Sequence, residues 1–328
     1  MIYLQLLAGF VLLLGGAEFL VRGAVAVAAK AGLSAMLIGM TVVAFGTSAP
    51  EFVVSLNAAL DGAPGIALGN VVGSNIANVW LILGATALFA PVVVDARAVI
   101  RDAVMLMGSS ILFAWLCMTG SIEQIAGGTM VLMLLGYFLF SYLRERGAGN
   151  ASSHLHEREA EEFEDVKMGM PVAWLSLIGG LAAVAYGADL LVAGGSAIAR
   201  DAGVSEEVIG LTLIAFGTSL PELAASGMAA FRGHTDVAIG NVIGSNLFNL
   251  LGVAGGVAAV TTLPVPAQIQ SFDLWVMMVA TVMLLAYLVF GARLGRREGA
   301  VFFGLYCAYI AVQAFGVERA FVFLNTLA

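Results

Sequence analysis

The sequence predicts an all-α polytopic membrane protein of ten transmembrane helices, arranged as two inverted five-helix repeats. Three observations predict it: an extreme apolar composition, apolar blocks of bilayer-spanning length, and a gapless internal duplication. Of 328 residues, 61% are hydrophobic and 11% charged, whereas a soluble domain carries roughly 25% charged residues. That excludes an ordinary cytosolic enzyme, and it excludes disorder, which needs low hydrophobicity and high net charge. The net charge of −8 gives no basic surface for nucleic acid. Cys117 and Cys307 lie in apolar blocks at no ligand spacing, so they read as small core residues.

Windows between charged or Pro/Gly-rich breaks give ten spans: 2–28, 33–60, 65–92, 100–119, 122–143, 170–199, 204–231, 236–262, 272–292 and 299–317. Each is close to the ~20 apolar residues a helix needs to cross a hydrocarbon core of about 30 Å. The first has no basic residue before it and no small-residue cleavage site, so it is expected to be retained rather than removed. With ten spans, twelve of the fourteen lysines and arginines fall in loops on one side, leaving Arg200 and Arg319 on the other. The positive-inside rule then predicts a multi-pass plasma (inner) membrane protein with both termini outside. The loop 144–168 becomes a cytoplasmic acidic linker, rich in glutamate. Charge runs usually serve solvation, so we read it as a connector rather than a calcium sensor. His154 and His156 lack partners at ligand spacing and read as surface residues.

The linker separates a first repeat, 1–143, from a second, 169–328. Residues 39–79 read GMTVVAFGTSAPEFVVSLNAALDGAPGIALGNVVGSNIANV, and 210–250 read GLTLIAFGTSLPELAASGMAAFRGHTDVAIGNVIGSNLFNL. They align without a gap at an offset of 171, which also matches Gly16-Ala17-Glu18 to Gly187-Ala188-Asp189. Five spans per copy is an odd number, so the second copy enters the membrane from the opposite face. Inverted repeats are an architecture of secondary transporters, with the site at the midplane where the copies meet.

Each copy buries one glutamate in an apolar span: Glu51 in AFGTSAPE and Glu222 in AFGTSLPE. An ionisable group at that depth costs about 3 kcal/mol or more and marks function by default. A protonated glutamate bonded to a neighbouring helix is the structural alternative, and its symmetric recurrence weighs against it. Pro50 and Pro221 have no N–H for the carbonyls of Gly46 and Gly217, so each span should kink there. That frees carbonyl oxygens near the glutamates, those of Ala44 and Ala215 among the candidates. Thr47 and Ser48 share the helix face of Glu51, as Thr218 and Ser219 share that of Glu222.

The following span adds a polar stripe every four residues, Asn70, Ser74 and Asn78 in one copy and Asn241, Ser245 and Asn249 in the other. Interhelical hydrogen bonding is the alternative role for this stripe, most evenly balanced at Asn70 and Asn241. Gly69 and Gly73, with Gly240 and Gly244, form small-xxx-small patterns that permit close helix approach. The donors are all oxygen, with no histidine or cysteine, which disfavours zinc, copper and nickel. A hard cation fits, and calcium takes 6–8 oxygens at about 2.3–2.6 Å. Two carboxylates balance one Ca²⁺ or two monovalent cations. Left unpaired they oppose movement of the empty carrier through low dielectric, which favours obligatory exchange.

GTSAPE and GTSLPE, followed by GNVVGSNIAN and GNVIGSNLFN, resemble the two signature repeats of the cation/calcium exchanger family, which includes sodium/calcium exchangers. The resemblance spans essentially all ten segments. It implies a non-enzymatic antiporter exchanging Ca²⁺ for Na⁺ by alternating access, with the ions as cargo and no resident cofactor. It further implies that Glu51 and Glu222 are the principal calcium ligands, helped by Thr47 and Thr218. Ala44, Ser48, Ser74, Ala215, Ser219 and Ser245 would complete sodium sites, and the first and sixth spans would be sliding gate helices. The short linker fits a minimal prokaryotic type. Some sodium-coupled members have aspartate where this chain has Asn249, mirrored by Asn78, so Na⁺, H⁺, and Na⁺ with K⁺ all stay open as driving ions. A cation channel is the more remote alternative. An intramembrane protease would need paired aspartates in a Gly-x-Gly-Asp pattern, which neither copy has.

Overall fold

The computed structural model describes residues 2–93, 96–147, 168–201, 215–291 and 293–317. Most of the acidic linker with His154 and His156, the start of the expected 204–231 span, the first residues of the second signature, and Arg319 lie outside the described residues. The helices are α1 (Ile2–Ala31), a bent pair α2 (Ala35–Thr47) and α3 (Ala49–Leu60), α4 (Pro64–Phe89), α5 (Ala96–Met118) and α6 (Gln124–Gly147). After the linker come α7 (Met170–Asp201), the short α8 (Ala215–Thr218), α9 (Leu220–Phe231), α10 (Thr235–Val260), α11 (Ile269–Val289) and α12 (Arg296–Phe315). Among the described residues eight helices are long and apolar enough to cross a membrane, and the α2/α3 pair makes a ninth span. Helix is what an apolar solvent demands, because every backbone N–H and C=O must then be satisfied within the segment.

Two helices form the centre. The apolar stretches of α4 and α10 are 83% and 89% buried, whereas the remaining long helices are only 11–39% buried and present their apolar side chains outward. The two most enclosed helices are therefore those that carry the Asn/Ser stripes. Both widen into π-helix at the same repeat position, Ala77–Leu83 and Phe248–Ala254, a distortion found often at functional sites. Gly240 and Gly244 behave as their spacing predicts, whereas a Cβ on Gly69 or Gly73 would meet nothing within 4 Å, so the close approach expected there does not occur. A Cβ on Gly240 would lie 2.5 Å from the Met36 carbonyl oxygen, and one on Gly244 would lie 2.2 Å from that of Met40.

Helix α1 runs antiparallel along α7, backbone against backbone. Gly9, Gly16 and Gly23 recur every seven residues, and their counterparts at the 171 offset are Gly180, Gly187 and Gly194. A Cβ on Gly16 would sit 2.8 Å from the Val184 nitrogen, and one on Gly180 2.3 Å from the Leu20 nitrogen. Seven-residue spacing keeps each triplet on one face of its helix, so the two copies of one sequence element pack against each other.

Short strands that the hydropathy reading did not anticipate lie at the span ends, and two of their residues, Val92 and Ile122, had been placed within spans. β1 (Val92–Val93) pairs with β4 (Arg293–Leu294), and β2 (Ser121–Ile122) with β3 (Leu263–Pro264). β1 and β3 stand 171 residues apart, so the same device recurs at both ends of the molecule. At the first end Thr235 also donates to the Val93 carbonyl (2.9 Å), and Ser34 bonds Glu145 through its amide and hydroxyl (2.9 and 2.7 Å). Those loops belong to the arginine- and lysine-rich set, and we call this end the basic face.

Two further acids are buried that the sequence reading did not single out. Asp102 on α5 accepts from Tyr137 of α6 and from the adjacent Arg101 (2.9 Å). Asp273 on α11, its counterpart at the same offset, accepts from Tyr309 (3.1 Å) and Gln313 of α12 and from Gln268 (3.2 Å). Each pins one outer helix to its neighbour.

Candidate functional site

The site is built where α2 breaks from α3. Ser48 has φ −89° and ψ 7°, outside the helical well, and the two segments meet at 42°. Pro50 and Glu51 thereby become the second and third residues of a new helix. The missing N–H of proline costs nothing in a first turn. A carboxylate at this position faces the positive end of the helix dipole, worth about 0.3–1 kcal/mol. The second copy repeats the arrangement, with Ser219 at φ −88° and ψ −1° before Leu220, Pro221 and Glu222. The expected kink is thus a true break one residue earlier than the Ala-Pro step.

Both carboxylates are interior, Glu51 at 1% and Glu222 at 2% exposure. They lie close enough to interact electrostatically, and each is held by the other copy. Ser48 donates to Glu222 Oε1 at 2.8 Å, and Thr47 also reaches Glu222. Thr218 reaches Glu51. The hydroxyls expected to serve the glutamate of their own copy therefore cross over, and the crossing fastens the two halves together.

The polar stripes form the second wall. Asn70 donates to Ser55 (3.0 Å) and to the Glu51 carbonyl (3.2 Å), while Asn241 donates to Ser226 (2.9 Å) and accepts from Thr47 (3.3 Å). Ser55 and Ser226 were not anticipated as part of the site. Each stands four residues after its glutamate, on the same helix face, which is the signal that could have found them. Asn70 and Asn241 thus act as the interhelical tethers weighed above. Asn78 donates to Asn246 of the other copy at 2.9 Å, and Ser74 is buried at 6% exposure.

Four oxygens in this interior have no hydrogen-bond partner within the protein, Glu51 Oε2, Glu222 Oε2, Ser245 Oγ and Asn249 Oδ1, and the amide nitrogens of Asn246 and Asn249 stand unpartnered beside them. A buried acceptor left unmade costs about 1–3 kcal/mol, more when charged, and the orphaned oxygens here are one carboxylate oxygen from each half plus those of Ser245 and Asn249. That donor set suits a hard cation as cargo, and no group of three or more His, Cys, Asp or Glu joins it among the described residues. Ala44 departs from the expectation. Its carbonyl accepts the Ser48 N–H at 3.0 Å and more weakly the Thr47 hydroxyl at 3.4 Å. A proline frees the carbonyl four residues before it, which is that of Gly46, so Ala44 keeps at most one lone pair for an ion. Ser219 is buried at 4% exposure, Thr218 is half-buried, and Ala215 opens α8.

The profile of the family described as sodium/calcium exchanger protein matches residues 1–144 and 172–315. A protein from Alkalimonas amylolytica named as an antiporter, CaxA, is 40% identical, covering 88% of this chain and 89% of its own. The sodium/calcium exchanger MaX1 of Methanosarcina acetivorans is 32% identical over 94% of this chain and 97% of its own. Among solved structures, the sodium-calcium exchanger NCX_Mj, from crystals soaked with Na⁺ and Ca²⁺, superposes with a TM-score of 0.80. It is 32% identical and covers 93% of this chain and 96% of that one.

Proposed function

The chain belongs to the sodium/calcium exchanger protein family, whose members are membrane-embedded transporters, and from that premise we propose that it exchanges Ca²⁺ for Na⁺ by alternating access. The observation that carries the reading is the pair of buried glutamates, one per copy, each held by hydroxyls of the other, with an unpartnered oxygen on both. One dication neutralises the pair, and two sodium ions do the same. Either load removes the charge that opposes reorientation through low dielectric, whereas the bare pair does not move.

In this reading Glu51 and Glu222 bind calcium with Thr47 and Thr218. Ser48, Ser219, Ser74, Ser245, Asn78, Asn249 and the carbonyls of Ala44 and Ala215 supply the remaining oxygens, chiefly for sodium. Residues 1–143 and 169–328 form two inverted halves of five spans around the site, with 144–168 as linker. The antiparallel packing of α1 on α7 supports this, since these are one element in two copies. The basic face is cytoplasmic, and both termini lie outside. Uptake of ⁴⁵Ca²⁺ into proteoliposomes tests the coupling. A sodium gradient should drive it, while a proton or potassium gradient alone should not; uptake driven by protons without sodium would assign H⁺ instead.

A further inference from the structure

One ion cluster at the basic face joins residues whose counterparts in the other half differ in charge. Glu18 of α1, 18% exposed, is paired with Arg22 one turn later. Arg232 also donates a hydrogen bond from Nε to Glu18 Oε2 at 2.8 Å and pairs with Glu18 Oε1 through Nη2 at 2.6 Å. Arg232 lies in the turn between α9 and α10, whose reversal requires the positive φ of Gly233 (+84°). At the 171 offset Glu18 and Arg232 correspond to Asp189 and Asp61, and Arg22 to Ala193. The two positions that Glu18 and Arg232 pair as acid and base are therefore both acidic in the other copy.

Packing is asymmetric in the same sense. The α1/α7 pair lies over α9, so Leu13, Ala17, Val184 and Ala188 cluster with Ala224, and Met228 packs against them. Ala224 is 9% exposed, whereas its counterpart on α3, Val53, is 55% exposed. Asn57, the counterpart of Met228, is exposed as well. Neither α1 nor α7 packs comparably on α3 among the described residues. Two copies of one sequence element thus stand in different environments, covered toward the basic face and uncovered toward the opposite one.

We propose that the Glu18–Arg232 pair is a latch that holds the α1/α7 pair down on α9, so that the carrier rests closed at the basic face and open at the opposite face. The inference deepens the alternating-access reading and rests on it. Glu18 sits on the moving pair and Arg232 on the body beneath, so opening the basic face must part them. Closing the opposite face instead brings Asp189 toward Asp61, and repulsion resists it. Arg232 is 44% exposed, which keeps such a pair weak and salt-screened, so the latch biases the equilibrium by only about two- to fivefold. A bias of that size sets which state predominates without trapping it.

The test uses the full chain with Cys117→Ala and Cys307→Ser, carrying Asn57→Cys or Met228→Cys, in vesicles of known orientation treated with a membrane-impermeant maleimide. Asn57→Cys should label quickly from the face opposite the basic one, and Met228→Cys slowly from the basic face. Arg232→Gln or Glu18→Gln should speed Met228→Cys labelling about two- to fivefold and slow Asn57→Cys labelling correspondingly. The double swap Glu18→Arg with Arg232→Glu should restore the original rates, which a merely damaged fold would not do. Unchanged labelling in both single variants overturns the latch. Calcium flux is measured on the same vesicles: flux with unmoved labelling defeats the latch alone, and responsive labelling without any wild-type exchange defeats the functional reading alone.

Discussion

Glu222→Gln is the most informative perturbation because it removes one charge and little else. Glutamine keeps a carbonyl oxygen that can accept the 2.8 Å hydrogen bond from Ser48, and its volume matches. Glu222 is 2% exposed, and its Oε2 has no partner within the protein. Neutralising it should therefore leave the ion-free protein as stable as before, or more so, since a buried unpaired charge is lost. Binding is a different matter. Breaking one partner out of a buried charge pair costs about 3–5 kcal/mol, and tenfold in affinity corresponds to about 1.4 kcal/mol. Calcium affinity should fall by about two to nearly four orders of magnitude. Isothermal titration in detergent measures it, and a thermal melt without ions checks the fold. Wild-type stabilisation by calcium, about 2.7 kcal/mol at a hundredfold excess over Kd, should vanish in the variant. A folded Glu222→Gln protein with wild-type calcium affinity refutes the reasoning.

Other outcomes follow from the same geometry. Ser48→Ala removes a hydrogen bond to a charged group from the opposite copy and should weaken ion binding by about 1.5–3 kcal/mol, read as a shift in the sodium dependence of ⁴⁵Ca²⁺ flux. Ser55→Ala and Ser226→Ala each remove one of the two hydrogen bonds that hold Asn70 and Asn241 and should each lower apparent affinity roughly fivefold, about 1 kcal/mol, without abolishing transport. Gly180→Ala puts a Cβ 2.3 Å from the Leu20 backbone nitrogen and should lose folded protein by size-exclusion chromatography, whereas Gly15→Ala, with nothing within 4 Å, should behave as wild type. Asp273→Asn weakens the link from α11 to Tyr309 and Gln313 of α12 and should lower stability by about 1–3 kcal/mol in a thermal melt, with calcium affinity unchanged.

The fold class and the position of the site were legible because the bilayer and the duplication each leave a strong pattern. Apolar blocks of spanning length force helices, and an offset that never slips pairs Glu51 with Glu222 and Asn78 with Asn249. The proline marked the helix break correctly, but which carbonyl it frees depends on local pairing, and the Ser48 amide takes the oxygen of Ala44. The crossing of hydroxyls between copies was not legible. A one-dimensional pattern shows that Thr47 and Thr218 lie near their own glutamates, not which carboxylate they face once the halves interleave. Ser55 and Ser226 lie inside the signature segments, where a lone serine on an apolar helix resembles a packing residue, whereas Asp102 and Asp273 lie outside them at the same offset. The end strands escaped because two-residue pairings carry no periodicity and fall at the breaks between spans. The asymmetry between Ala224 and Val53 belongs to a conformation rather than to a sequence, so only coordinates show it.

The central claim is that two acidic side chains from opposite copies grip a single hard cation. Crystals of the chain soaked in calcium and measured for anomalous scattering test it directly. The account predicts one strong peak with oxygens of both Glu51 and Glu222 at about 2.3–2.6 Å. A peak held by one copy alone, or calcium bound only elsewhere on the chain, would contradict it.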